Sequence, residues 1–379
     1  MQKRFIQTQA EFTALCESLS AAKLLTVDTE FVRTRTLVPK LGLLQVCDGE
    51  QVALIDPLAL DDLSPFWQLL ENPAITKVLH ACSEDLEVFL TAGAKPPQNL
   101  IDSQVMMTFL GHGLSLGYAA MVKHYLDIEL DKSESRTDWT KRPLTDNQLK
   151  YAAADVEHLY TLFPKLLADI EAKGWLAASQ QESANMIAKK YQAIDPDTLY
   201  QNVKLAWKLS PKQLNNLKFL ASWRYQKAVT KDQPLSFIAK DHTLQLVAQR
   251  SPISVRAMAN IEGVEALDVR YQGKAMINVL KQAAQTPEDA YPAKLRRLDE
   301  YPGYKQTFKQ VKHFLQQVAD KQELAIECLA SKKQINQFLS FYFKLNGADQ
   351  SPAAVDLINS WRKPIAGDAL IDFADRGFK

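Results

Sequence analysis

The nine residues Leu24 to Val32, LLTVDTEFV, constrain the fold more than any other segment. Alternate residues of a strand share a face. Leu25, Val27, Thr29 and Phe31 therefore project one way, while Leu24, Asp28, Glu30 and Val32 project the other. With apolar residues on both sides, the segment reads as a strand buried between two layers. LGLLQVC and QVALIDP follow as two further apolar runs, and Asp48, Gly49 and Glu50 between them suit a hairpin turn. ITKVLHAC reads as another strand and SEDLEVFLTAG as the helix after it. Three closely connected strands, then strands alternating with helices, predict an α/β class with a mixed sheet flanked by helices.

From Ser115 the patterns are mostly helical, and after Trp175 no segment alternates with period two, so an all-α remainder is predicted. Asp195-Pro196-Asp197 marks a linker. Ser210 and Pro211 supply an N-cap and a first helical residue, followed by Leu214, Leu217, Ala221, Arg224 and Ala228 on one stripe. A further helical segment begins near Tyr304, and KDQPLSFIAKDHTLQLVAQ is similar to DKQELAIECLASKKQINQF, which predicts a duplicated helical unit. At 379 residues the chain has room for two or three domains, expected at 1–190, 205–290 and 295–375.

Several function classes are excluded. No run reaches the roughly 18 apolar residues of a membrane helix, and MQKRFIQTQAEF lacks the features of a signal peptide, so a soluble, cytoplasmic protein with no membrane partner is expected. Cys16, Cys47, Cys82 and Cys328 have no disulfide-framework or zinc spacing, and there is no P-loop. The net charge of +1 hides an asymmetry: residues 1–200 hold 18 Lys and Arg against 27 Asp and Glu, and residues 201–379 hold 27 against 17. A basic second half suggests nucleic-acid contact.

The chemistry lies in acids placed where apolar residues are expected. Asp28 and Glu30 share one face of the buried strand, where two carboxylates repel and lose hydration unless a cation compensates; a solvated strand end is the alternative. In TDNQLKYAAADVEHLYTLF, Thr145 and Gln148 have capping-box spacing. Taking Tyr151 as zero, Asp155 falls at about 40°, between Leu162 at about 20° and Leu159 at about 80°, whereas Glu157 and Lys150 lie opposite. Asp85 likewise falls among Leu86, Phe89 and Leu90, although an acid at a helix N-terminus would also account for it. Three segments thus direct four acids toward a presumed common core. An all-oxygen set selects Mg²⁺ or Mn²⁺, and two such ions serve phosphoryl chemistry.

VDTEF, HACSEDLEVF and YAAADVEHL resemble, in order, the three motifs of the DEDDy 3′→5′ exonucleases, and SRTDWTKRPLTDNQLKYAAAD is especially similar to the ribonuclease D branch. The helical half resembles HRDC modules. The resemblance implies a ribonuclease H-like exonuclease core followed by two HRDC domains. It implies two divalent cations, with Asp28, Glu30 and Asp155 as ligands of the catalytic ion and Asp28 also touching the second. Asp85 would hold that second ion through water, and Tyr151 would orient the attacking water. A phenol with a pKa of about 10 is a poor base at neutral pH, so positioning is the expected role. The implied partner is RNA, with tRNA precursors as the structured substrate and a monomer as the expected state.

His80, Arg136, Trp139 and Arg142 are candidate substrate contacts, with packing roles as the alternative for the histidine and for the Trp-Arg loop. A DNA-directed repair exonuclease and a non-catalytic RNA-binding protein are the competing functions. The charge split further predicts that residues 1–200 alone cleave but bind RNA weakly.

Overall fold

The computed structural model describes residues 1–131, 133–345 and 351–379. Six strands form one mixed sheet: β1 (Gln2–Ile6), β2 (Leu24–Val32), β3 (Lys40–Cys47), β4 (Gln51–Ile55), β5 (Thr76–Leu79) and β6 (Leu100–Asp102), in the order β1-β4-β3-β2-β5-β6. β2 is interior, antiparallel to β3 and parallel to β5. Leu25 and Val27 are fully buried on one side, against a core that includes Phe12, Phe66 and Phe89. Helix Asp146–Ala172 covers the other side. The β3–β4 turn needs its glycine: Gly49 has φ +96°, and a Cβ there would lie 2.5 Å from the Tyr160 hydroxyl.

The predicted capping box opens helix Asp146–Ala172. Thr145 Oγ1 accepts from the Gln148 amide at 3.2 Å, and Gln148 Oε1 accepts from the Thr145 amide at 3.0 Å. Among the described residues no strand follows β6. Helix Pro211–Lys231, capped by Ser210, leads into Leu235–Ile238 and then Asp241–Arg250. The same succession recurs as Tyr304–Lys321, Ile326–Leu329 and Lys332–Tyr342. Arg224 lies on the buried stripe of its helix, as the spacing requires, because Asp241 pairs with it at 2.8 Å.

The two helical units differ in how they are held. The first has its own apolar cluster, including Leu217, Leu244, Val247, Met258 and Met276. The second shares one with the exonuclease-side residues Phe109, Leu162 and Leu166, to which it adds Leu315, Phe338 and Trp361. A cut after residue 200 would bare the apolar surface now covered by the C-terminal helices.

Candidate active site

Helix Asp146–Ala172 lies close on β2. Ala152 and Ala153 are buried against the sheet, and the Thr26 hydroxyl donates to the Val156 carbonyl at 2.8 Å. Asp155 is thereby brought to the face that carries Asp28 and Glu30, and one oxygen from each of the three carboxylates lies within 4.8 Å of the others. Asp85, at the start of helix Asp85–Thr91, stands outside that triad. It is buried and accepts a short hydrogen bond from Thr29, the residue between Asp28 and Glu30. The turn that delivers it is fixed by Asp102, whose carboxylate accepts from the amides of Ala81 and Cys82, both at 2.9 Å.

The electrostatics are those of a site built for cations. Burial, then the charges of Asp85, Asp155 and Glu30, raise the Asp28 carboxyl well above its usual range. Burial followed by Asp155 and Asp85 pushes Glu30 up to about 9. Burial pushes Asp155 up to about 7, and it pushes Asp85 up to about 6 against the opposing Thr29 hydrogen bond. Two unit charges about 4 Å apart repel by roughly 4 kcal/mol at an effective dielectric near 20. Every ion pair among the described residues lies elsewhere; Glu87, for example, takes both Arg33 and Lys190. The donor set is all oxygen, and among the described residues no Lys, Arg or His pairs with it, which fits a hard divalent cation.

Tyr151, one helical turn before Asp155, lines with it a cavity of about 250 Å³ that Asn147 and Lys150 also border. Burial and then Asp155, Glu30 and Asp28 hold its phenol above the ordinary range. A larger cleft of about 1110 Å³ runs between the end of β2 and the first helical unit, bordered by Arg33, Lys204, Lys240 and His242.

Three expected substrate contacts are otherwise engaged, which corrects the reading of them. His80 has one ring nitrogen 2.9 Å from Ser103 Oγ and the other 2.9 Å from the Leu116 carbonyl, and burial lowers its pKa. Trp139 is 1% exposed, packed beside Tyr151 at 6.1 Å, so no base can stack on it. Arg142 clamps Asp56 through two bonds of 2.7 and 2.6 Å and also donates to the carbonyls of Gly42 and Trp139. Arg136 is exposed. Sequence reasoning missed Thr29, Asp102 and Tyr118, whose hydroxyl donates to the Asp155 carbonyl. Only Thr29 carried a signal, as a polar residue on the apolar face of β2.

A covered mixed sheet, a half-buried carboxylate triad and a tyrosine one turn before the third acid define a 3′-5′ exonuclease, and the family model of that description matches residues 3–171. The HRDC domain matches residues 213–280, and the ribonuclease D C-terminal HRDC domain matches residues 302–370. The chain is 42% identical to ribonuclease D of Cronobacter turicensis over 96% of its length and 98% of the relative's, and 41% identical to that of Escherichia coli over 98% of each. The crystal structure of E. coli RNase D, described as an exoribonuclease involved in structured RNA processing, superposes with a TM-score of 0.95 at 40% identity over 99% of both chains. The chain belongs to the ribonuclease D family of 3′-5′ exoribonucleases. No helix among the described residues is long and apolar enough to cross a membrane.

Proposed function

We propose that the chain is a divalent-ion-dependent enzyme that trims structured RNA, such as tRNA precursors, from the 3′ end to nucleoside 5′-monophosphates. The observation that carries this reading is the Asp28, Glu30 and Asp155 triad, three mutually repelling carboxylates with one oxygen of each within 4.8 Å of the others. These three would hold the catalytic ion, with Asp85 serving a second through water. Held by these carboxylates, two Mg²⁺ or Mn²⁺ ions would supply Lewis-acid chemistry for phosphodiester hydrolysis. Tyr151, kept neutral, donates a hydrogen bond that orients the attacking water and does not take its proton. Burial keeps Thr29 and Asp85 fixed relative to the triad, so little reorganisation is needed when RNA arrives. The basic cleft beside β2 offers the strand a path, and one chain carries every acid of the site, so a monomer suffices.

Release of mononucleotides from 3′-labelled RNA should stop on adding EDTA and return with Mg²⁺. Release that persists in EDTA would overturn the metal dependence, and equal rates on matched RNA and DNA strands would favour the DNA-directed alternative. A pH series checks the site independently. Carboxyls raised above the usual range near 4 stabilise the ion-free fold at low pH, and that contribution fades as pH rises through about 6, 7 and 9. The Tm gained from Mg²⁺ should therefore grow between pH 5.5 and 9. A gain independent of pH would contradict the carboxylate ligation.

A further inference from the structure

Gln45 sits in the middle of β3, fully buried, and stands opposite Asp28 in the antiparallel register. Side chains of opposed residues share a face, with Cβ atoms about 5 Å apart. The amide therefore lies on the same side of the sheet as the carboxylate triad. Its other cross-strand partner is Leu54, and Leu43 and Cys47 flank it along the strand; all three are buried, the leucines carry no polar group, and the Cys47 Sγ is engaged by the Gly49 amide at 3.4 Å. Neither Nε2 nor Oε1 has a hydrogen-bond partner among the described residues. A buried polar atom left unpaired is destabilising, so an apolar side chain would serve the sheet better here. Directly opposite the amide the register places one polar side chain, Asp28, with Thr26 and Glu30 diagonal to it on the same face; the Thr26 hydroxyl is already committed to the Val156 carbonyl. Asp85 has the Thr29 hydroxyl to fix it.

We propose that Gln45 is a positioning residue for Asp28, its Nε2 hydrogen bonding through one ordered water to the carboxylate and holding it in the orientation that a divalent ion requires. An ionised carboxylate only accepts, so the amide N–H side faces it. Groups that hydrogen-bond to metal-binding carboxylates change ion affinity by about 10–100-fold when removed. The inference rests on the triad binding a divalent ion, as set out above.

Gln45→Met keeps the length and burial of the side chain and deletes both amide atoms. In the full chain, Mn²⁺ binding followed by electron paramagnetic resonance should weaken about tenfold or more. The Tm in EDTA should stay unchanged or rise, because an unsatisfied amide has been removed. The kcat on RNA should fall with KM unchanged. Mn²⁺ affinity equal to that of the wild type would overturn the proposal. So would a Tm lowered alike by Gln45→Met and Gln45→Leu, which would make the amide structural. Wild-type protein that binds no Mn²⁺ would defeat the ion-dependent reading itself, a result distinct from failure of the Gln45 assignment.

Discussion

Asp28→Asn is expected to slow turnover of a 3′-labelled RNA roughly a thousandfold or more, with RNA affinity held within about twofold. The substitution is nearly isosteric, so the fold has no reason to change. It replaces an anionic oxygen in a cluster whose members lie within 4.8 Å of one another. Asp28 is the acid raised by burial and by the charges of Asp85, Asp155 and Glu30, so removing its carboxyl relieves that cost and the variant should melt at the same temperature as wild type in EDTA, or higher. It should also gain less from Mg²⁺. A filter-binding titration beside single-turnover cleavage separates the two effects. Full activity with Mg²⁺ would remove Asp28 from the site, and an equal loss of binding and rate would make it a substrate contact instead.

Trp361→Ala should cost about 3–5 kcal/mol, the largest stability loss expected from one substitution in the C-terminal unit. The indole is 8% exposed, with ring centroids 5.1 Å from Phe109 and 6.0 Å from Trp175. Its Nε1 donates to Glu182 at 2.7 Å, and neighbouring Arg362, almost fully buried, pairs with the same carboxylate. Truncation opens a cavity between two aromatic rings and removes a donor from a carboxylate that also anchors a buried guanidinium. Because this contact joins the C-terminal unit to the exonuclease body, calorimetry should show an early transition separate from the main one. A single transition at the wild-type Tm would show that the apolar seam contributes little.

Much of the site was legible because it rests on local periodicity. The two-residue repeat of LLTVDTEFV put Asp28 and Glu30 on one face, and the 3.6-residue repeat put Tyr151 and Asp155 on one arc. Thr145 and Gln148 announced the helix start because a capping box is a contact three residues apart. β1 and β6 went unread. QKRFI has only two apolar residues and LID has three residues in all, and both are edge strands recognisable only by parallel pairing with β4 and β5.

The aromatic and basic residues of the Trp139–Arg142 loop were ambiguous for a related reason. Arg142 finds its partner, Asp56, 86 positions away. Trp139 is withdrawn into the apolar layer under the Asp146 helix. A sequence shows that a side chain is cationic or aromatic, but whether it remains available depends on what arrives from elsewhere in the chain.

The sequence by itself determined the α/β then all-α order, the strand and helix that carry the acids, and the face each acid takes. These follow from repeats of two and 3.6 residues that any local segment obeys. The tertiary structure alone decided that carboxylates more than a hundred positions apart meet within 4.8 Å, that Gln45 stands opposite Asp28, and that the last helical unit shares a core with the exonuclease body. Each of those is a long-range contact, selected by burial of apolar surface across the whole chain rather than by the residues on either side of it.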